Sequence, residues 1–246
     1  MGLRLKFNLV LIAVFLIGFG AAGFISRQLL QENARDEVVR NARLMMDTAL
    51  AVRSYTVTQI KPHLDPMLAE TFLPQTVPAY AATETMGELR KKYPDYGYKE
   101  ATLNPTNLRD KTVDWEADVV NDFRKTPTKT VLVVRRQSAV GDTLSLGVPI
   151  KISNSSCLTC HSTPDKAPPE MIKIYGAGNG FGWKMDEVIG AQIVSVPASV
   201  PINIANAAFA RIAVWLVAIF AALFVLINIA VALLARPPAE PVAVAA

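Results

Sequence analysis

The chain has 246 residues, 51% of them hydrophobic, and a formal net charge of +4 spread along its length. No Lys/Arg block stands out, which excludes a nucleic-acid footprint. Two cysteines in one short pair exclude a disulfide framework, and the apolar excess falls at the two ends, leaving a middle of one-domain size.

Residues 1–7 carry Arg4 and Lys6 and are predicted to be cytoplasmic. Residues 8–25 are uncharged and long enough to cross a hydrocarbon core, so they are the first transmembrane helix. A cleaved signal peptide is the alternative, since small residues follow at Ala21, Ala22 and Gly23. Retention is favoured because the stretch exceeds a usual signal core and a helical pattern continues out of it. Over 26–60, Leu30, Ala34, Val38, Ala42, Met45, Ala49, Val52 and Thr56 recur every three or four residues. This predicts a long juxtamembrane helix, ended by Pro62 and Pro66.

Residues 61–113 are punctuated by Pro74, Pro78, Pro94 and Pro105, with a short helix around 81–92. Asp114 is a plausible N-cap for a helix over 115–124. The runs 130–136 and 144–152, joined by Gly141-Asp142, predict a hairpin, and 188–196 a third strand. Between them lies a loop with Pro164, Pro168 and Pro169, loosened by Gly176, Gly178, Gly180 and Gly182. Residues 212–235 are a second uncharged span, bracketed by Arg211 and Arg236, and 236–246 are a short cytoplasmic tail. The fold class is α+β, an antiparallel sheet with flanking helices between two transmembrane helices.

The informative stretch is Cys157-Leu158-Thr159-Cys160-His161. In a C-x-x-C-H sequence the two thiols form thioethers to the haem vinyl groups, and the adjacent imidazole ligates the iron. A zinc site needs more ligands than the chain's remaining histidine, His63, supplies without carboxylates. A thioredoxin-type pair belongs at a helix start within a βαβ pattern, whereas this pair follows a strand and precedes a proline-rich loop. The expectation is one covalent haem c on Cys157 and Cys160, with His161 axial.

For the sixth iron position the candidates are His63, Met45 and Met46, with Met67, Met86, Met171 and Met185 behind them. An open or water-bound position is a further option. Tyr175, Phe181 and Trp183 follow the motif closely and are candidate pocket residues. Arg53 and Arg135 are candidate partners for a haem propionate, with surface solvation the plainer role for both.

Six stretches carry a family resemblance: AVRSYT (51–56), FLPQTVPAYAA (72–82), YPDYGYKEATLNPTN (93–107), DWEADVVNDFR (114–124), CLTCHSTPDKAP (157–168) and NGFGWKMDEVIGAQIVSVP (179–197). Together they make the middle, 36–200, resemble the PAS-like c-type haem sensor domains. The resemblance implies a PAS-like sheet with flanking helices, a single haem, and a sensor domain in the periplasm beside the bacterial inner membrane. It also implies a cysteine ligand from the N-terminal helix, and this chain has no third cysteine. After Arg236 only PPAEPVAVAA follows, where many relatives carry an output domain.

Two roles follow. One is an anchored periplasmic cytochrome, in electron transfer or as an accessory haem subunit of a membrane complex, with a redox partner protein. The other is a redox or gas sensor signalling to a separate partner. The short tail favours the first. Enzymatic turnover is not expected, since nothing beside the motif resembles a catalytic constellation. Membrane lipid is an expected partner, and Gly18, Ala22 and Asn228 are candidate contacts for a homodimer or a larger membrane assembly.

Overall fold

The computed structural model describes residues 2–68 and 71–234; the tail predicted for 236–246 lies outside the described residues. The chain divides into two units, one from its two ends and one from residues 35–200.

The end unit is helical. Helix α1 (Leu3–Tyr55) and helix α7 (Ser199–Leu234) are each long and apolar enough to cross a membrane. Phe220 of α7 meets Phe15 and Phe19 of α1 at ring-centroid distances of 5.2 and 6.2 Å. At Gly18 a Cβ would lie 3.8 Å from that ring, an ordinary contact. Gln31 donates to Asn206 at 2.7 Å. Asn228 turns to its own helix, donating to the Phe224 carbonyl at 2.9 Å.

In the middle unit, Val38, Ala42 and Ala49 of the expected α1 stripe are buried, but Met46 fills the place expected of Met45, which is only half-buried. The prolines do not end the helix as expected. A π-helical turn (Thr56–Ile60) leads into α2 (Lys61–Leu68), which contains both Pro62 and Pro66. At Pro62 the wider turn absorbs the bond that a proline cannot make and the clash of its ring with the preceding turn. Helix α3 (Pro78–Lys92) starts on a proline, whose missing N–H costs nothing in a first turn.

Four strands, β1 (Gly97–Thr102), β2 (Leu132–Ser138), β3 (Gly141–Lys151) and β4 (Val188–Pro197), form one antiparallel sheet in the order β1-β4-β3-β2. The β2–β3 turn puts Gly141 at φ +95°, where glycine is favoured. Helix α4 (Asp114–Lys125) covers one sheet face, packing Val119, Val120 and Phe123 on Ala101, Ala191 and Ile193. Its N-cap is Val113, one residue before the expected Asp114, because the Glu116 carboxylate accepts the Val113 N–H at 2.9 Å. At Gly190 a Cβ would meet the Ala101 carbonyl at 2.4 Å, so β4 approaches β1 through a glycine.

Strand alternation turns Tyr98, Glu100 and Gln192 to the opposite face. Arg53 reaches Glu100 at 2.6 Å and Tyr98 donates to the same oxygen at 2.5 Å. Burial and the Glu100 charge push the Tyr98 hydroxyl far above the ordinary tyrosine range. Nearby, a short 3₁₀ turn (Leu108–Asp110) ends on Asp110, whose carboxyl burial pushes up to about 6. The folded chain therefore holds this proton more tightly than the unfolded chain, where an aspartate titrates at about 3.9. The stability it adds is complete below about pH 4 and is lost as pH rises through about 6. Asp110→Asn is thus expected to stabilise the fold at neutral pH by about 1–3 kcal/mol and to change little at about pH 4. Urea unfolding at the two pH values checks this; equal effects at both would contradict it.

Candidate functional site

Cys157 to His161 form a single helical turn, α5 (Cys157–His161). Asn154 builds its start: its carbonyl accepts the Cys157 N–H at 3.1 Å and its side chain accepts the Ser156 N–H at 2.9 Å. The two cysteines, three apart in a helical turn, lie on one side of it. Both are free thiols and half-buried. Burial pushes the Cys160 thiol up, against the opposing pull of the Lys61 ammonium.

The His161 ring is held from several directions. Its Nδ1 lies 2.8 Å from the Gly180 carbonyl and 3.3 Å from the Thr106 hydroxyl. A carbonyl only accepts, so the proton sits on Nδ1 and Nε2 keeps its lone pair. Burial lowers the pKa of the imidazole and keeps it neutral, with the Gly180 carbonyl pulling the other way. The Trp183 indole stacks on the ring at 3.8 Å and 17°, and the Trp183 backbone N–H donates to the His161 carbonyl at 3.2 Å.

The loop that supplies these partners is clamped, not loosened by its glycines as the sequence suggested. Asn104 donates to the Phe181 carbonyl and accepts the Gly180 N–H, both at 3.2 Å. Gly180 has φ +82°, and a Cβ there would lie 2.1 Å from the Thr106 hydroxyl. Only glycine fits so close to Thr106 in that conformation.

Of the predicted pocket residues, Trp183 is on the His161 ring, Phe181 lends its backbone to the clamp, and Tyr175 lies edge-on to Phe72 at 6.4 Å. Tyr175 closes helix α6 (Pro169–Tyr175). Among the sixth-ligand candidates, His63 is exposed on α2, Met45 is half-buried on α1, and Met46 is 2% exposed within the α1 stripe. Neither predicted propionate partner is free: Arg53 is paired with Glu100, and Arg135 with Asp142 in the β2–β3 hairpin. Asn104, Thr106 and Gly180 were not singled out from the sequence as site residues. Their contacts join positions 55 to 77 residues apart, beyond any local spacing pattern.

This donor set fits the group that the motif predicts. Two free thiols on one turn are followed at once by a neutral imidazole with an available Nε2, which is what covalent haem attachment requires.

A family model described as Tll0287-like matches residues 31–197, more than half of the chain. No curated protein matches. A solved structure, the crystal structure of the cyanobacterial heme-protein Tll0287, aligns with a TM-score of 0.47 at 13% identity, covering 66% of this chain and 93% of that one.

Proposed function

The chain belongs to the Tll0287-like family, and from that premise we propose that it is a membrane-anchored monohaem c-type cytochrome, acting in electron transfer or as an accessory haem subunit of a membrane complex. Cys157 and Cys160 would hold the haem as thioethers and His161 Nε2 would be the axial ligand. When bound, the haem supplies a one-electron iron couple. The protein's own contribution is positional. Gly180 fixes the imidazole tautomer, Trp183 covers its ring, and Asn104 and Thr106 brace the loop that carries both. A redox partner protein completes the role, and no enzymatic turnover is assigned to the chain.

The observation that carries this reading is the His161 clamp. A ligand held on several sides rearranges little between redox states, which suits electron transfer. The segments flanking the motif, 153–156 and 163–166, are exposed, so a partner protein has access to this edge. The sensor alternative draws on the π-helical turn Thr56–Ile60, because such turns recur at functional sites and can shift register. Absorption and EPR spectra of the purified protein in both redox states separate the two. Six-coordinate low-spin iron, unchanged when CO is added to the reduced protein, is expected. A spectrum that shifts on adding CO or NO would move the assignment to sensing.

We place the middle unit outside the cytoplasm, where haem is attached, with both termini inside. Arg4, Lys6 and Arg236 agree with that orientation, and Arg27 and Arg211 weaken it. Protease added to intact bacterial spheroplasts should cut the middle unit. Protection of that unit until lysis would overturn the orientation.

A further inference from the structure

Close to the loop that braces His161 lies a partly buried group of charges with no part in holding the ring. Asp110 is 17% exposed, and its nearest cation, the Arg109 Nε, is 3.9 Å away, beyond hydrogen-bond reach. Arg109 is committed elsewhere: it donates to Glu84 of α3 at 2.5 Å and lies 5.1 Å over the Tyr80 ring. Lys99 is likewise occupied, by Glu116 at 2.6 Å and by the Lys111 carbonyl at 2.7 Å. Tyr175 of α6 also feels the Asp110 and Arg109 charges.

On β1, Glu100 is 4% exposed. Its Oε1 takes the bonds from Arg53 and Tyr98, with the Gln192 amide at 3.4 Å. Its Oε2 is buried with no donor at all. Such an orphan is rare in a folded interior, and it leaves the charge of Glu100 to act on Asp110. Around Asp110 the carboxylates Glu100 and Glu84 oppose the cations Arg109 and Lys99. Asp110 is the carboxylate of this set without a bonded partner.

We propose that Asp110 takes up one proton from solvent when the haem is reduced and releases it on oxidation, an inference that rests on the haem reading above. The balance is simple: a one-electron donor delivers its electron to the iron, and water delivers a proton to the Asp110 carboxylate. The link to His161 is short. Thr106, which meets the His161 ring, is four residues from Asp110, at most about 14 Å of extended chain. A unit change of charge about 15–20 Å away through protein changes an acid's proton affinity about four- to sevenfold. Burial already holds Asp110 at about 6, so the added electron moves its titration upward from there. The midpoint potential should be flat below that range, fall as pH rises through it, and level off above. A four- to sevenfold change in affinity corresponds to a total fall of about 35–50 mV.

The test is a spectroelectrochemical titration of the full-length haem-loaded protein in detergent, between about pH 5 and about pH 8. Wild type should show the step. Asp110→Asn should flatten it, and Glu100→Gln should move it to lower pH. Asp142→Asn, on the exposed hairpin, should leave it in place. A step that persists unchanged in Asp110→Asn would assign the proton to another group, such as a haem propionate, and overturn the inference. Reduced-minus-oxidised infrared spectra of wild type and Glu100→Gln give an independent reading should Asp110→Asn not fold. A protonated carboxyl band should appear on reduction, at lower pH in Glu100→Gln than in wild type. No such band, or one that Glu100→Gln leaves unmoved, overturns the inference. A sample without a c-type haem band fails the haem reading and takes the inference with it. A sample with that band but a pH-independent potential fails the inference alone.

Discussion

Replacing Cys157 and Cys160 together by alanine is expected to reduce stable haem content from full occupancy to near zero. The thioethers are the only covalent links available, since the chain has no other cysteine. His161 alone would hold the iron through one coordinate bond, which denaturation or competing ligands remove. Each single variant keeps one thioether and is expected to retain haem at reduced occupancy. Haem staining of the denatured chains on a gel reads all three. Full staining of the double variant would end the attachment claim.

Gly180→Ala is expected to have the next largest effect. A Cβ at φ +82° is strained, and here it would also sit 2.1 Å from the Thr106 hydroxyl and 2.8 Å from the Thr106 Cα. Backbone strain of this kind costs about 1–3 kcal/mol, and relief of the clash displaces the loop. The displaced loop carries the carbonyl that orients His161 and the indole stacked on it. The haem should remain attached through the cysteines while part of the iron becomes high-spin, and thermal stability should fall. Thr106→Gly in the same chain should restore part of both losses. Gly178→Ala has nothing within 4 Å of its new Cβ and serves as the neutral comparison. Low-spin iron and unchanged stability in Gly180→Ala would show that the clamp does not govern ligation.

Much of this was legible in the sequence because it is local. Uncharged runs at the ends mark helices apolar enough to span a membrane. β-branched runs around Gly141-Asp142 mark the hairpin, and the Cys157 to His161 spacing points to one side of a single turn, where both thiols lie. Strand β1 escaped because it does not alternate by hydrophobicity. Its Lys99 bridges to α4, while its Glu100 is buried against Arg53. Pro62 and Pro66 look like helix terminators, and the π-helical turn just ahead of Pro62 leaves no mark in composition. The glycines after the motif suggested looseness. Gly180 instead permits the close approach to Thr106 that fixes the imidazole, and its partners become visible only once residues far apart in the chain are brought together.

The central claim is that this domain carries one haem fixed to Cys157 and Cys160 and ligated by His161. Intact mass of the denatured chain, taken after acid–acetone extraction, tests it most directly. The mass should equal the polypeptide plus one haem, with the colour remaining in the protein pellet. A polypeptide mass alone, with haem in the acetone phase or no haem at all, would contradict it.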